Sequence, residues 1–180
     1  MKECKQRLTL LAYANAAGTC KIKFTVIEKS RNPHAFKKVK VFPVNYKANK
    51  TARVTQDLFV EWFNSQFVLK ARTHCQSIGL SSDCKIILFL DNCPAHPPAD
   101  LLKEKNVIIE YLPPNCTSLI QSLDQGGLQS LKCKYKMHFL KQLFDGCNEN
   151  KYVPELLKEF TIKDGISLAA RDWEEVTKTP

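Results

Sequence analysis

Acidic residues are scarce in the first part of this chain. Residues 1–50 hold 12 Lys or Arg against only Glu3 and Glu28, and no aspartate precedes Asp57. No apolar run reaches the roughly 20 residues that a membrane-spanning helix needs, and the opening Met1-Lys2-Glu3-Cys4-Lys5-Gln6-Arg7 has no apolar signal region. The eight cysteines form no Cys-x-x-Cys pair, which argues for reduced, mostly packing thiols. There is no Gly-rich phosphate loop, no Ser-His-Asp arrangement, no internal repeat and no low-complexity run. These absences remove the usual signatures of membrane insertion, of disulfide scaffolds and of small-molecule chemistry, so no membrane partner and no small-molecule substrate are expected.

What is present is a basic N-terminal segment joined to a nearly neutral body. The formal net charge of +9 resides in residues 1–50, since the other 130 residues carry 15 basic against 16 acidic groups. A segment of that sign suits contact with phosphates, and a solvated lysine-rich loop is the plain alternative. The candidate contacts are Lys21, Lys23, Lys37, Lys38 and Lys40. At 180 residues, 44% hydrophobic and 25% charged, the chain suits one domain with a real core.

The pattern along the chain alternates strand and helix signals, so an α/β fold is expected. Ile22, Phe24 and Val26 alternate with Lys21, Lys23 and Thr25 after an Asn15–Gly18 turn, predicting a hairpin with Leu8–Ala14 that turns Lys21 and Lys23 to solvent. Val39, Val41 and Val44 suggest a short strand interrupted by Pro43. Thr55 caps a helix whose stripe of Leu58, Phe59, Trp62, Phe63 and Phe67 is core rather than a base-stacking platform. Ile86–Leu90 reads as a buried strand ending in Asp91-Asn92, and Val107–Ile109 as a second strand ending at Pro113-Pro114. A long helix follows from Leu123 to about Phe144, closed by Asp145-Gly146. Thr161 and Asp164 start a last helix with a stripe of Ile162, Ile166, Ala169 or Ala170, and Trp173.

Three ordered motifs carry a resemblance. Leu90-Asp91-Asn92-Cys93-Pro94-Ala95-His96-Pro97, Leu112-Pro113-Pro114-Asn115-Cys116-Thr117-Ser118-Leu119-Ile120-Gln121 and Leu123-Asp124-Gln125-Gly126 closely resemble the DDE-type transposases of the pogo/Tigger/Jerky group, which also supplied centromere protein B. The resemblance runs from about Arg7 to the end. It implies a ribonuclease-H-like mixed sheet flanked by helices, with a core over residues 1–145 and a C-terminal helical extension over 146–180. It also implies nuclear work on DNA and Mg²⁺-dependent phosphodiester chemistry, in which two cations share carboxylate ligands.

Asp91 and Asp124 match the second and third acidic positions of that group. Taken alone, Asp91 is a strand-end aspartate and Asp124 a helix cap; the motifs make them inherited Mg²⁺ ligands. The first position, on the first and central strand, has no counterpart in this sequence, and neither Glu3 nor Glu28 lies where it belongs. The sequence therefore leads us to expect a fragment of a longer protein or the product of a decayed element, and a chain that does not cut DNA. Without that strand, residues 8–14 and 86–90 must either pair directly or leave bare edges. Ser122, Gly127 and Arg53 depart from the group's usual proline, larger apolar residue and tryptophan. Cys93 and His96, with Cys116 as a third ligand, fall one short of a zinc set; His96 is expected to support Asp91 rather than act as a base.

Three functions are compatible with these residues. The first is a non-catalytic nuclear protein that binds DNA or chromatin proteins. The second is an active endonuclease whose first aspartate lies upstream, and the third is a self-association domain with no DNA contact.

Overall fold

The computed structural model describes residues 8–114, apart from 38 and 40, and residues 123–176, apart from the side chains of Asp124 and Gln125. The element order is β1 (Thr9–Ala14), β2 (Lys21–Glu28), β3 (Asn45–Ala48), α1 (Gln56–Trp62), α2 (Val68–Ser77), β4 (Ile86–Leu90), β5 (Val107–Tyr111), α3 (Leu128–Asn148), α4 (Val153–Glu159) and α5 (Ile162–Glu175). A five-residue π turn, Phe63–Phe67, joins α1 to α2, and another, Leu123–Gly127, leads into α3.

The hairpin forms where alternation and the turn place it. β1 and β2 pair antiparallel from Thr9 opposite Ile27 to Ala14 opposite Lys21, with an irregularity between Leu11 and Tyr13. Gly18 sits at φ 65°, the left-handed backbone that glycine adopts without strain. β3 then pairs parallel to β2. The valines at 39, 41 and 44 are not the strand: β3 starts at Asn45, while Val41 is 81% exposed. Pro43 removes a ladder donor, and pairing begins only after it.

Phe59, Trp62, Phe63 and Phe67 from the α1–α2 unit are buried and form one core with Ile22, Leu88, Leu90 and Leu102, as the helical stripe implies. Thr55 accepts from the Leu58 N–H and caps α1. Leu11 and Tyr13 of β1 and Ile86 of β4 pack against this same cluster. A second core joins Phe24 and Val26 of β2 to Leu131 of α3 and to Ile166, Ala170 and Trp173 of α5. Phe24 stacks on Trp173 with ring centroids 4.9 Å apart.

The mixed α/β architecture stands, with its strands in two small sheets. Among the described residues β1, β2 and β3 form one sheet and the parallel pair β4–β5 another. β1 and β4 share a helical floor yet do not pair with each other, so among the described residues each has one edge without a partner strand. Of the two outcomes expected without a central strand, the unpaired one is found. The outer face of β4–β5 is also open, with Ile87, Phe89 and Ile108 exposed.

The long helix runs further than expected, to Asn148, with the left-handed residue at Asn150, φ 63°. Gly146 lies inside it: a Cβ there would meet Leu156 of α4 at 2.6 Å. The glycine permits close approach of two helices instead of ending one. The cysteines also differ from expectation. All six described thiols are free, but Cys93, Cys133 and Cys147 are exposed and only Cys20 is buried.

Candidate functional site

β4 and β5 run parallel in register, Leu90 opposite Tyr111, so Asp91 and Leu112 leave the sheet side by side at its carboxyl edge. The Asn92 side-chain amide donates to the Leu112 carbonyl and locks the two exits together. Tyr111 hydroxyl donates to the Pro97 carbonyl, folding the Cys93–Pro98 loop over the strand ends.

Asp91 is half-buried and already partnered. The Cys93 N–H donates to its Oδ1 at 3.2 Å, and His96 Nδ1 lies 2.9 Å from both Oδ1 and the Asp91 backbone oxygen. Two acceptors facing one nitrogen mean that Nδ1 carries the hydrogen. The His96 ring rests on Phe59, centroids 4.7 Å apart, which fixes its plane. His96 thus orients Asp91, as its place in the sequence led us to expect.

Asp124 lies in the turn that opens α3, and its side chain falls outside the described residues, as does the whole segment 115–122. Among the described residues no group of three ligating side chains includes Asp91. One carboxylate bonded to a histidine and a backbone N–H does not make a two-cation centre, which needs a ligand shared between the ions. The described part of the site therefore does not by itself fit a pair of Mg²⁺ ions.

The candidate DNA-contact lysines separate in the same way. Lys23 and Lys37 are exposed, and Lys38 and Lys40 lie outside the described residues. Lys21 does not turn to solvent. Its Nζ donates to the carbonyls of Trp173 at 2.6 Å, Glu174 at 3.0 Å and Val176 at 2.7 Å, and lies 5.2 Å from the Trp173 ring centre. Burial lowers its pKa, with Glu174 working in the opposite direction. The ammonium caps the carboxyl end of α5, where a cation is favoured by the helix dipole.

Another cluster escaped the sequence. His138 of α3 meets Asp172 of α5, Nδ1 to Oδ1 2.8 Å, and Asp172 is fully buried. The residues are 34 apart, and only the helical stripes on both sides hint that their helices face each other.

The described residues thus form a mixed α/β scaffold of the ribonuclease-H-like kind, with an aspartate at the edge of a parallel strand pair and a second aspartate in the turn that opens α3. The chain belongs to the DDE superfamily endonuclease family, which matches residues 5–180. It is 42% identical to the human (Homo sapiens) Jerky protein homolog over 125 residues, 69% of this chain and 22% of that protein. It is 35% identical to human Tigger transposable element-derived protein 7 over 96% of this chain and 34% of that protein. CENP-B homolog protein 2 of Schizosaccharomyces pombe is 26% identical over 78% of this chain and 27% of its own length. The chain thus spans between about a fifth and a third of these relatives. No solved structure matches it significantly.

Proposed function

We propose that this transposase-derived domain serves a nuclear protein that holds DNA or chromatin partners and, in the chain described, does not cut DNA. The observation that carries the reading is the state of Asp91: it keeps the family's strand-end position, yet its carboxylate is already bonded to His96 and the Cys93 N–H. Membership of a family with Jerky, Tigger and CENP-B-like relatives supports DNA as the partner. The basic balance of residues 1–50, with Lys23 and Lys37 exposed, supports contact through phosphates. Lys38 and Lys40 enter the proposal by their charge alone; Lys21 contributes charge but has its donors engaged.

The test is duplex binding across a salt series together with a nicking assay. Phosphate contacts predict affinity that falls steeply as salt rises from about 50 to 200 mM, with no plasmid nicking in Mg²⁺ or Mn²⁺. Affinity indifferent to salt would reject phosphate contact. Nicking that disappears in Asp91→Ala would reject the inert reading.

The bare edges of β1 and β4 favour a second reading. A strand from a longer protein, carrying the first aspartate, would bridge them and complete a Mg²⁺-dependent endonuclease around Asp91 and Asp124. Extending the chain upstream would then restore metal-dependent nicking. A self-association role would use the same edges and would appear as dimers without salt-dependent DNA affinity.

A further inference from the structure

His138, Asp172 and Glu175 lie at the packing seam between α3 and α5, and one ligand atom from each falls within 4.8 Å of the others. We propose that they bind a single divalent transition cation of the zinc class, separate from the ancestral Mg²⁺ chemistry at Asp91, and that this ion clamps α5 onto α3.

The local sequence sets the geometry. Asp172 and Glu175 are three residues apart on α5, so both carboxylates rise from one helical face. α3 presents His138 opposite them, one turn beyond Tyr135 and two turns beyond the buried Leu131. Asp172 is wholly buried, and its Oδ2 has no hydrogen-bond partner among the described residues. Its Oδ1 takes His138 Nδ1 at 2.8 Å and Arg171 Nη2 at 3.2 Å. A buried carboxylate oxygen left without a partner is costly. That is the observation, beyond proximity, that points to a missing ligand.

The donor set selects the ion class. One imidazole nitrogen with two carboxylates suits Zn²⁺, Co²⁺ or Ni²⁺, whereas Mg²⁺ and Ca²⁺ favour all-oxygen shells. Three protein ligands leave a fourth position, and the exposed Glu175 places it toward solvent. Binding substitutes the cation for the hydrogen between His138 Nδ1 and Asp172 Oδ1; in the neutral imidazole that hydrogen moves to Nε2, leaving Nδ1 free as the ligand atom. Two cations compete for the same acids: Lys134 Nζ is 3.6 Å and Arg171 Nε 3.9 Å from Glu175. The two Glu175 contacts are long, and Arg171, which also reaches Asp172 Oδ1 from Nε at 3.3 Å, is half-exposed, so both side chains can turn to water when an ion binds at short range.

The seam has a structural consequence. Trp173, next to Asp172, donates from Nε1 to the Ile22 carbonyl at 3.0 Å, so an ion that fixes Asp172 also fixes the docking of α5 on β2.

The experiment is Co²⁺ titration of the reduced full chain, followed by visible absorption and competed with Zn²⁺, with thermal unfolding as a second readout. The expected result is the intense visible bands of low-coordinate cobalt without thiolate charge transfer, and a higher unfolding temperature with Zn²⁺. His138→Ala and Glu175→Gln should each weaken Co²⁺ binding at least tenfold. Cys133→Ser and Cys147→Ser should leave it unchanged. Glu175→Gln alters only an exposed carboxylate, so it remains informative if His138→Ala fails to fold. Unchanged affinity in Glu175→Gln, thiolate charge-transfer bands lost with a cysteine, or no visible bands at all would each overturn the site.

Discussion

Lys21 and Trp173, 152 residues apart, hold each other in place: the Lys21 ammonium donates to the Trp173 carbonyl at 2.6 Å and sits over its indole. A lysine that reads as a solvent-facing strand residue is thereby the cap of the last helix. Lys21→Met removes three donor contacts and is expected to cost about 1–3 kcal/mol, in the range for hydrogen bonds to charged groups. Lys23→Ala, two positions along and exposed, should change stability by no more than about 0.5 kcal/mol. Denaturant unfolding of the two variants checks the contrast, and equal effects would contradict the capping role.

The two lysines should also differ on DNA. If the exposed basic face contacts phosphates, Lys23→Ala lowers the slope of log affinity against log salt by about one contact. Lys21→Met should leave that slope alone, because its ammonium is already engaged. Titrations at several salt concentrations measure both.

Two glycines of the long helical segment answer to different constraints. Among the described residues a Cβ at Gly127 would meet only Leu123 Cδ2, at 3.5 Å, and the backbone there is already helical. Gly127→Ala should therefore stabilise by up to about 1 kcal/mol through helix propensity. Gly146→Ala gains the same propensity but drives a methyl into Leu156, and overpacking typically costs about 1–3 kcal/mol. Net destabilisation is expected, relieved in the Gly146→Ala, Leu156→Ala double variant. A thermal-unfolding cycle reads this directly.

Tyr13 predicts an alkaline limit to stability. Burial pushes its phenol up to about 12 from an ordinary 10, with Cys20 and Cys75 adding to the rise. The unfolded chain loses this proton first, so stability is complete below pH 10 and falls as pH rises toward 12. Tyr46 is pushed the same way by burial and by its bond to Glu28. Tyr13→Phe should flatten part of the decline between pH 10 and 12, as followed by unfolding at fixed denaturant. An unaltered profile would show that Tyr13 is not kept neutral by burial.

The open face of β4–β5 predicts association. Phe89 is 61% exposed and Ile87 51% exposed, beside an edge that has no partner strand among the described residues. Such a surface promotes pairing between chains. Phe89→Lys should lower the concentration dependence of the apparent mass in sedimentation, with little effect on folding.

Periodicity alone located most of the scaffold. The β1–β2 alternation, the Phe59–Trp62–Phe63–Phe67 stripe and the Thr161–Asp164 box each appear where local chemistry requires, because turns, caps and stripes depend on residues close in sequence. The motif around Asp91 likewise revealed both the aspartate and its companion His96, which are five residues apart. β3 was misplaced, since whether a short half-buried segment pairs depends on β2 rather than on its own valines.

Sequence by itself determined the family and the strand-end aspartate, because those are properties of order and spacing. Tertiary structure alone decided that Lys21 caps a distant helix, that Gly146 makes room for Leu156, and that Asp172 is buried against His138. Each of these joins groups from separate elements. Their free energies depend on burial and on distances of a few ångströms, which no local pattern encodes.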